Sequence, residues 1–178
     1  MNKILYFLIL CFWNYAFAEN QSIVRVFTPS TEIDLSHINN GRFITITGVN
    51  GGDVEDGKLE VSSDKRISTL ENVVTEVRKY NELSTTIGPI LSNNDANEVI
   101  WTLENKSDLI INDTDIVDSN RFTFRLNGEN ISESSSQRGR PSEFSSVYWG
   151  VYSNDALDEI SSGDSFYLDA MISVTVEF

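Results

Sequence analysis

The sequence is poor in the side chains that most active sites require. It holds one cysteine and one histidine in 178 residues. The cysteine, Cys11, lies inside an apolar N-terminal run that reads as a leader. The rest of the chain can therefore form neither a disulfide nor a thiolate. A solitary His37 cannot build a metal site from several imidazoles, and a polar loop or strand edge is its expected place. Basic residues are scarce too, with 13 Lys and Arg against 27 Asp and Glu, for a net charge of −14. Nucleic acid and anionic membrane surfaces both select a basic patch, so neither is an expected partner. Beyond the N-terminus no apolar run approaches the roughly 20 residues that a spanning helix needs.

The N-terminus itself has an export signature. Lys3 is followed by an apolar run from Ile4 to Trp13, and then by Ala16-Phe17-Ala18. A basic start, a short apolar stretch and small-x-small residues define a secretory signal peptide. The expected division is therefore 1–18 signal peptide, 19–34 N-terminal extension and 35–178 folded domain. A domain of that size can bury a core without covalent staples.

What the chain does have is alternation. Phe166, Leu168, Ala170, Ile172, Val174, Val176 and Phe178 share one parity, while Tyr167, Asp169, Met171, Ser173, Thr175 and Glu177 share the other. A strand turns these sets to opposite faces, so one terminal strand with one buried face is expected. Weaker versions occur at 42–47, 58–62, 73–80, 98–104, 121–126 and 146–152, the third of which also fits a short helix. Turn formers stand between them: Asn50-Gly51-Gly52, Gly88-Pro89, Asn127-Gly128 and Gly139-Arg140-Pro141. Short strands punctuated in this way predict an all-β chain, specifically a two-sheet β-sandwich. Trp101 and Trp149 each sit in a strand pattern and are expected in its core. Ile23, Val24, Val26 and Phe27 give the extension strand character on both parities, so no inward face is defined for it.

No group of residues reads as catalytic. Asp113, Asp115 and Asp118 are oxygen-rich, but the stretch lacks the sixth-position Gly and twelfth-position Glu of a Ca²⁺ loop. A solvated acidic loop is expected there, and no metal or other cofactor. The serines from Ser132 to Ser136 have no Gly-x-Ser-x-Gly elbow and no histidine beside them. They read as a loop, as does Gln137-Arg138-Gly139-Arg140, the one basic spot.

Taken together, several of these stretches resemble a known family. They are the leader, the extension ending in Ile33-Asp34-Leu35, the run Asn93-Asn94-Asp95-Ala96-Asn97-Glu98-Val99-Ile100-Trp101-Thr102-Leu103, the Arg121–Leu126 strand with Asn127-Gly128, and Ser162-Gly163-Asp164-Ser165-Phe166 leading into the terminal alternation. In these the chain is similar to major pilin subunits of the colonisation-factor type, assembled by the alternate (alpha-class) chaperone–usher pathway. The resemblance implies an immunoglobulin-like sandwich lacking one strand. The gap would be an apolar acceptor groove beside the terminal strand, formed by Phe166, Leu168, Ile172, Val174, Val176 and Phe178. A neighbour's donor strand, containing Ile23, Val24, Val26 and Phe27, would fill it by strand addition. Arg25 and Pro29 interrupt the pattern of that donor. The implied partners are identical or related pilin subunits, a periplasmic chaperone, an outer-membrane usher and a host receptor. The implied location is the periplasm in transit and then a cell-surface fimbrium. Three other readings stand beside this one, among them a secreted hydrolase on a sandwich scaffold, for which the sequence offers no nucleophile–base pair and no metal set. The chain could be a minor pilin or adhesin touching a glycan or receptor through Trp149, Tyr148 or the Ser132–Pro141 loop. Alternatively, the extension could pair with its own domain and close it.

Overall fold

The computed structural model describes residues 23–24, 43–81 and 83–178. The chain is all-β over this range. Its strands are β1 (Ile23–Val24), β2 (Phe43–Thr47), β3 (Lys58–Val61), β4 (Ile67–Glu71), β5 (Val73–Asn81), β6 (Thr86–Ile90), β7 (Glu98–Lys106) and β8 (Leu109–Ile111). They continue with β9 (Asp115–Val117), β10 (Phe122–Leu126), β11 (Glu129–Ile131), β12 (Ser135–Gly139), β13 (Ser146–Ser153), β14 (Phe166–Tyr167) and β15 (Ala170–Glu177). One helical turn, α1 (Pro141–Phe144), leads into β13. Two sheets are the expectation from sequence, and the described strands form three. The largest has nine strands along the order β1-β3-β4-β13-β10-β11, with β5 also on β13 and carrying β2 and β6. The other two are β12-β7-β15 and β14-β8-β9, and every pairing is antiparallel.

Period-2 patterning sets which faces meet. On β7 the buried residues are Val99, Trp101 and Leu103, on β10 Phe122, Phe124 and Leu126, and on β13 Val147, Trp149, Val151 and Ser153. These inward sets join in one core. At its centre the rings of Trp101 and Trp149 meet edge to face, 5.9 Å apart at 81°. Burying an indole requires a partner for its N–H. Trp149 Nε1 donates to Thr75 Oγ1 at 3.0 Å, and Trp101 Nε1 to the Phe144 carbonyl at 2.8 Å. The carbonyl of α1 is thus why a single helical turn is kept beside β7.

β4 and β5 are two halves of one strand, broken at Asn72. Both halves lie on β13: Val73–Glu76 opposite Trp149–Ser146, and Ser68 opposite Tyr152. At the break a hydroxyl substitutes for the ladder. Thr69 Oγ1 accepts from the Val151 N–H at 2.6 Å and donates to the Val151 carbonyl at 3.0 Å. Ser153 Oγ accepts from the Ile67 N–H at 3.0 Å.

The structure corrects several sequence expectations. The terminal alternation is two strands, not one. Phe166 belongs to β14 and pairs with Ile111 on β8, whereas β15 begins at Ala170 and pairs with β7. The alternation stays in phase across the intervening Leu168-Asp169, so the change of sheet leaves no mark in the pattern. The serine-rich stretch and the basic spot are largely β12, which pairs with β7 from Leu103 to Val99. The acidic stretch is a β8–β9 hairpin turning on Asn112 and Asp113, both at positive φ. Residues 73–81 are strand rather than helix. Gly88-Pro89 lies inside β6, where Pro is tolerated because β6 pairs only with β5 among the described residues and the register shifts between Arg78 and Tyr80. Asn127 and Gly128, at φ 51° and 85°, form the two-residue β10–β11 turn that Asn-Gly favours.

Gly139 illustrates how tightly the α1 turn is seated. A Cβ there would lie 2.3 Å from Phe144 Cδ2 and 2.5 Å from Cε2, because the ring lies directly on the glycine. Gly139→Ala is therefore expected to destabilise the chain by about 1–3 kcal/mol through overpacking, seen as a Tm drop of about 2–8 °C. Gly52→Ala, where a Cβ would meet only the Val49 carbonyl oxygen at 3.5 Å among the described residues, is expected to leave Tm unchanged. Thermal unfolding by circular dichroism checks both, and equal Tm values for the two variants would refute the packing argument.

Candidate functional site

Several strands pair on one side only among the described residues, and two of the longer ones, β15 and β2, carry a row of apolar side chains on the inward face. The first is β15. It pairs with β7 from Ala170 to Glu177, through a bulge between Met171 and Ile172, and has no partner on its other side among those residues. Its inward residues Ala170, Ile172, Val174 and Val176 are buried, and Met171 on the opposite face is exposed. The second is β2, which pairs only with β5. Ile46 lies opposite Val77, which is fully buried, so Ile46 and Ile44 share the inward face. Yet both isoleucines are only half-buried while packing against the core. An inward isoleucine left partly in water at a sheet edge gains somewhat less than the roughly 1.5–3 kcal/mol that full burial would give.

Each expected site residue can now be placed. Ile172, Val174 and Val176 lie together on the inward face of β15. Phe166 and Leu168 are buried, but they precede that strand. Phe178 follows it and is 41% exposed. Ile23 and Val24 form β1 and pair with Leu59 and Lys58 on β3 of the same chain, not with β15. Val26 and Phe27 lie outside the described residues. Of the aromatic contact residues expected for an adhesin, Trp149 is 1% exposed and so withdrawn into the core, while Tyr148 is 43% exposed. The half-burial of Ile44 and Ile46 is missed by sequence reasoning; their alternation marks a strand but not its position at an edge.

The carboxylates with shifted pKa values are held by ion pairs and hydrogen bonds. Asp95 sits in the turn before β7, ion-paired to Lys79 on β5, and accepts from the Ser92 hydroxyl at 2.6 Å and the Ser92 N–H at 3.0 Å. The Lys79 contact, then the Ser92 bonds, lower its pKa from the ordinary value to about 2. Arg121 is bonded to Asp155 at 2.9 Å, to Glu159 at 2.7 Å and to the Ala156 carbonyl at 2.7 Å, which ties down the connection after β13. Asp155 is shifted down chiefly by Arg121. Glu159 is shifted down first by its own backbone N–H and then by Arg121. Asp164 is shifted down by the Asn112 amide and the Ser161 N–H. A general acid at neutral pH needs a carboxyl shifted upward. Each of these four is shifted downward, which favours the ionised form. Among the described residues no three His, Cys, Asp or Glu side chains gather as metal ligands.

A carboxylate with a lowered folded-state pKa contributes stability above its unfolded value, and that contribution is lost as pH falls through the folded value. Tm is therefore expected to hold from neutral pH down to about 4 and to fall between about 4 and 2, the window set by the Asp95 shift. Asp95→Asn should lower Tm at pH 7 and flatten the acid limb. A wild-type curve that rises on acidification below pH 4 would contradict this.

No protein-family model and no curated protein matches the chain.

Proposed function

We propose that the chain is a structural subunit of a bacterial fimbrium, an immunoglobulin-like β-sandwich that lacks one strand and polymerises by strand donation. In this reading the sheets bearing β13 and β7 are the two layers, and the missing strand belongs between the edges of β2 and β15. One observation carries the proposal: two apolar edges, β15 with its buried inward row and β2 with the half-buried Ile44 and Ile46, each lacking a further neighbour among the described residues. A strand laid along β15 would satisfy the backbone groups of that edge. Exposed apolar edges are aggregation hazards. Export through the periplasm would therefore need a chaperone to cover the edge, and an usher would exchange that cover for the neighbour's extension. The acidic net charge of −14 suits a surface polymer that must stay soluble.

The donor in this scheme is 20–28, with Val24 and Val26 as first choice for the inserted side chains and Ile23 and Phe27 as second. Burying three or four such side chains contributes about 1.5–3 kcal/mol each before ordering costs. The β1–β3 pairing gives a second reading a specific footing. If the segment stays on Leu59 and Lys58 of its own chain, the subunit is self-contained.

Two predictions separate these readings from each other and from failure. Protein recovered from a bacterial periplasm should begin at Glu19, as Ala16-Phe17-Ala18 directs; N-terminal sequencing that finds Met1 would remove the export step. Deleting 20–28, or substituting Val24→Asp, should leave a folded monomer that does not polymerise, because the variant buries an unpaired charge or no strand at all. A synthetic peptide of residues 23–28 added to the deletion variant should raise its Tm. Long fibres from the deletion variant, or a peptide that neither binds nor raises Tm, would sink strand donation and favour a self-contained exported domain.

A further inference from the structure

A cleft unrelated to either open edge lies beside β10. Its volume is about 360 Å³, within the lower part of the roughly 300–1,000 Å³ range of small-molecule pockets. Fold topology creates it. The β10–β11 ladder runs from Leu126–Glu129 to Phe124–Ile131 and stops there, because the chain leaves at Ser132 to become β12 in another sheet. The next β10 position facing that side, Phe122, would pair with residue 133, which lies past the end of β11. The Phe122 N–H is taken up by the Ser119 carbonyl. By strand alternation its own carbonyl faces the side that β11 has left.

The rim is polar and balanced in charge. Lys106, Asn120, Thr123, Ser132, Glu133 and Asn154 line the opening, and the buried rings and methyls of Phe122, Phe124 and Ile131 form its apolar floor. The rim is partly fixed in place. Thr123 Oγ1 donates to Asn154 Oδ1 at 2.6 Å, and Asn154 Nδ2 donates to the Asn120 carbonyl at 3.2 Å. Lys106 Nζ donates to the Ser119 carbonyl at 2.9 Å, which leaves ammonium hydrogens for another acceptor.

From this geometry we propose that the cleft binds a saccharide of one or two rings through its hydroxyl groups. Amide and hydroxyl side chains offer donors and acceptors together, Lys106 adds a donor and Glu133 an acceptor, and a sugar hydroxyl is itself both. One positive and one negative side chain leave the rim without net charge, so on an acidic protein it selects neither a strong anion nor a strong cation. The floor of Phe122, Phe124 and Ile131, each 4% exposed or less, offers almost no surface for stacking, so recognition rests on the polar rim, and the volume excludes a long oligosaccharide within the cleft. This inference is independent of the polymerisation reading, since Lys106, Asn120, Glu133 and Asn154 lie on neither β2 nor β15.

The test is saturation-transfer NMR on the purified protein with methyl glucoside, methyl galactoside, methyl mannoside, N-acetylglucosamine and lactose, with glycerol as a control. Transfer to at least one sugar at millimolar concentration, and not to glycerol, is expected. Glu133→Gln and Asn154→Ala should each weaken binding about tenfold, the effect of losing one hydrogen bond of the charged or well-fixed kind. Glu133 is exposed in a turn, so Tm of Glu133→Gln should match the parent and show that the fold is intact. Ile116→Ala, an exposed position on β9 outside the cleft, should bind as the parent does. Absence of transfer to every sugar, equal transfer to glycerol, or unchanged affinity in both cleft variants would overturn the proposal.

Discussion

The edge-to-face contact between Trp101 and Trp149 is the joint on which the other packing depends. Each tryptophan lies on the central strand of its sheet: β7 runs between β12 and β15, and β13 runs between β10 and the β4–β5 pair. The two rings therefore fix the spacing of the strands to which all others in those sheets are added. Their N–H groups determine two further placements. Thr75 must sit inward on β5 to accept from Trp149, and α1 must end beside β7 so that Phe144 can accept from Trp101. In a chain whose one cysteine is Cys11, far in sequence from this core, the fully bonded aromatic joint takes the part that a disulfide takes in many small domains.

The strands legible in the sequence are those whose alternation reports a core-facing row. β7, β10, β13 and β15 belong to that class, as do the tryptophans within them. β12 was illegible because Ser-Ser-Gln-Arg-Gly buries no apolar side chain; it exists as a strand because β7 has a second edge to fill. β4 buries only Ile67, so its pattern is too thin to read. β8, β9 and β11 are three residues each, too short for a period to repeat. Pro89 argued against β6, and only the edge position and the shifted register next to it make room for it.

The candidate site was legible to a different depth. The inward row of β15 is plain in the sequence, but that this strand has a neighbour on one side only among the described residues is a fact of sheet order, which no local pattern carries. The same holds for Ile44 and Ile46, whose half-burial depends on what stands beyond β2. The cleft beside β10 had no sequence signal at all. Its lining comes from the ends of β7 and β10, the turns before β10 and after β11, and the first residue after β13, which are brought together because the chain changes sheets after Ile131.

The hydroxyl-bridged break between β4 and β13 gives the molecule a graded resistance to opening. Along most of β13 the backbone is held by backbone, but at Val151 both groups are held by the one side chain of Thr69, and at Ile67 the amide is held by Ser153. Beside this seam, Leu59, Val73, Trp149 and Leu168 line a partly open pocket of about 20 Å³, so packing there is less than complete. Local opening follows the lines where main-chain bonds and dense contacts are fewest. The β3–β4 hairpin, with the short β1 on its outer edge, is thereby a flap. Its amides would exchange with solvent ahead of those of β7 and β13, and it can lift while the tryptophan joint stays closed.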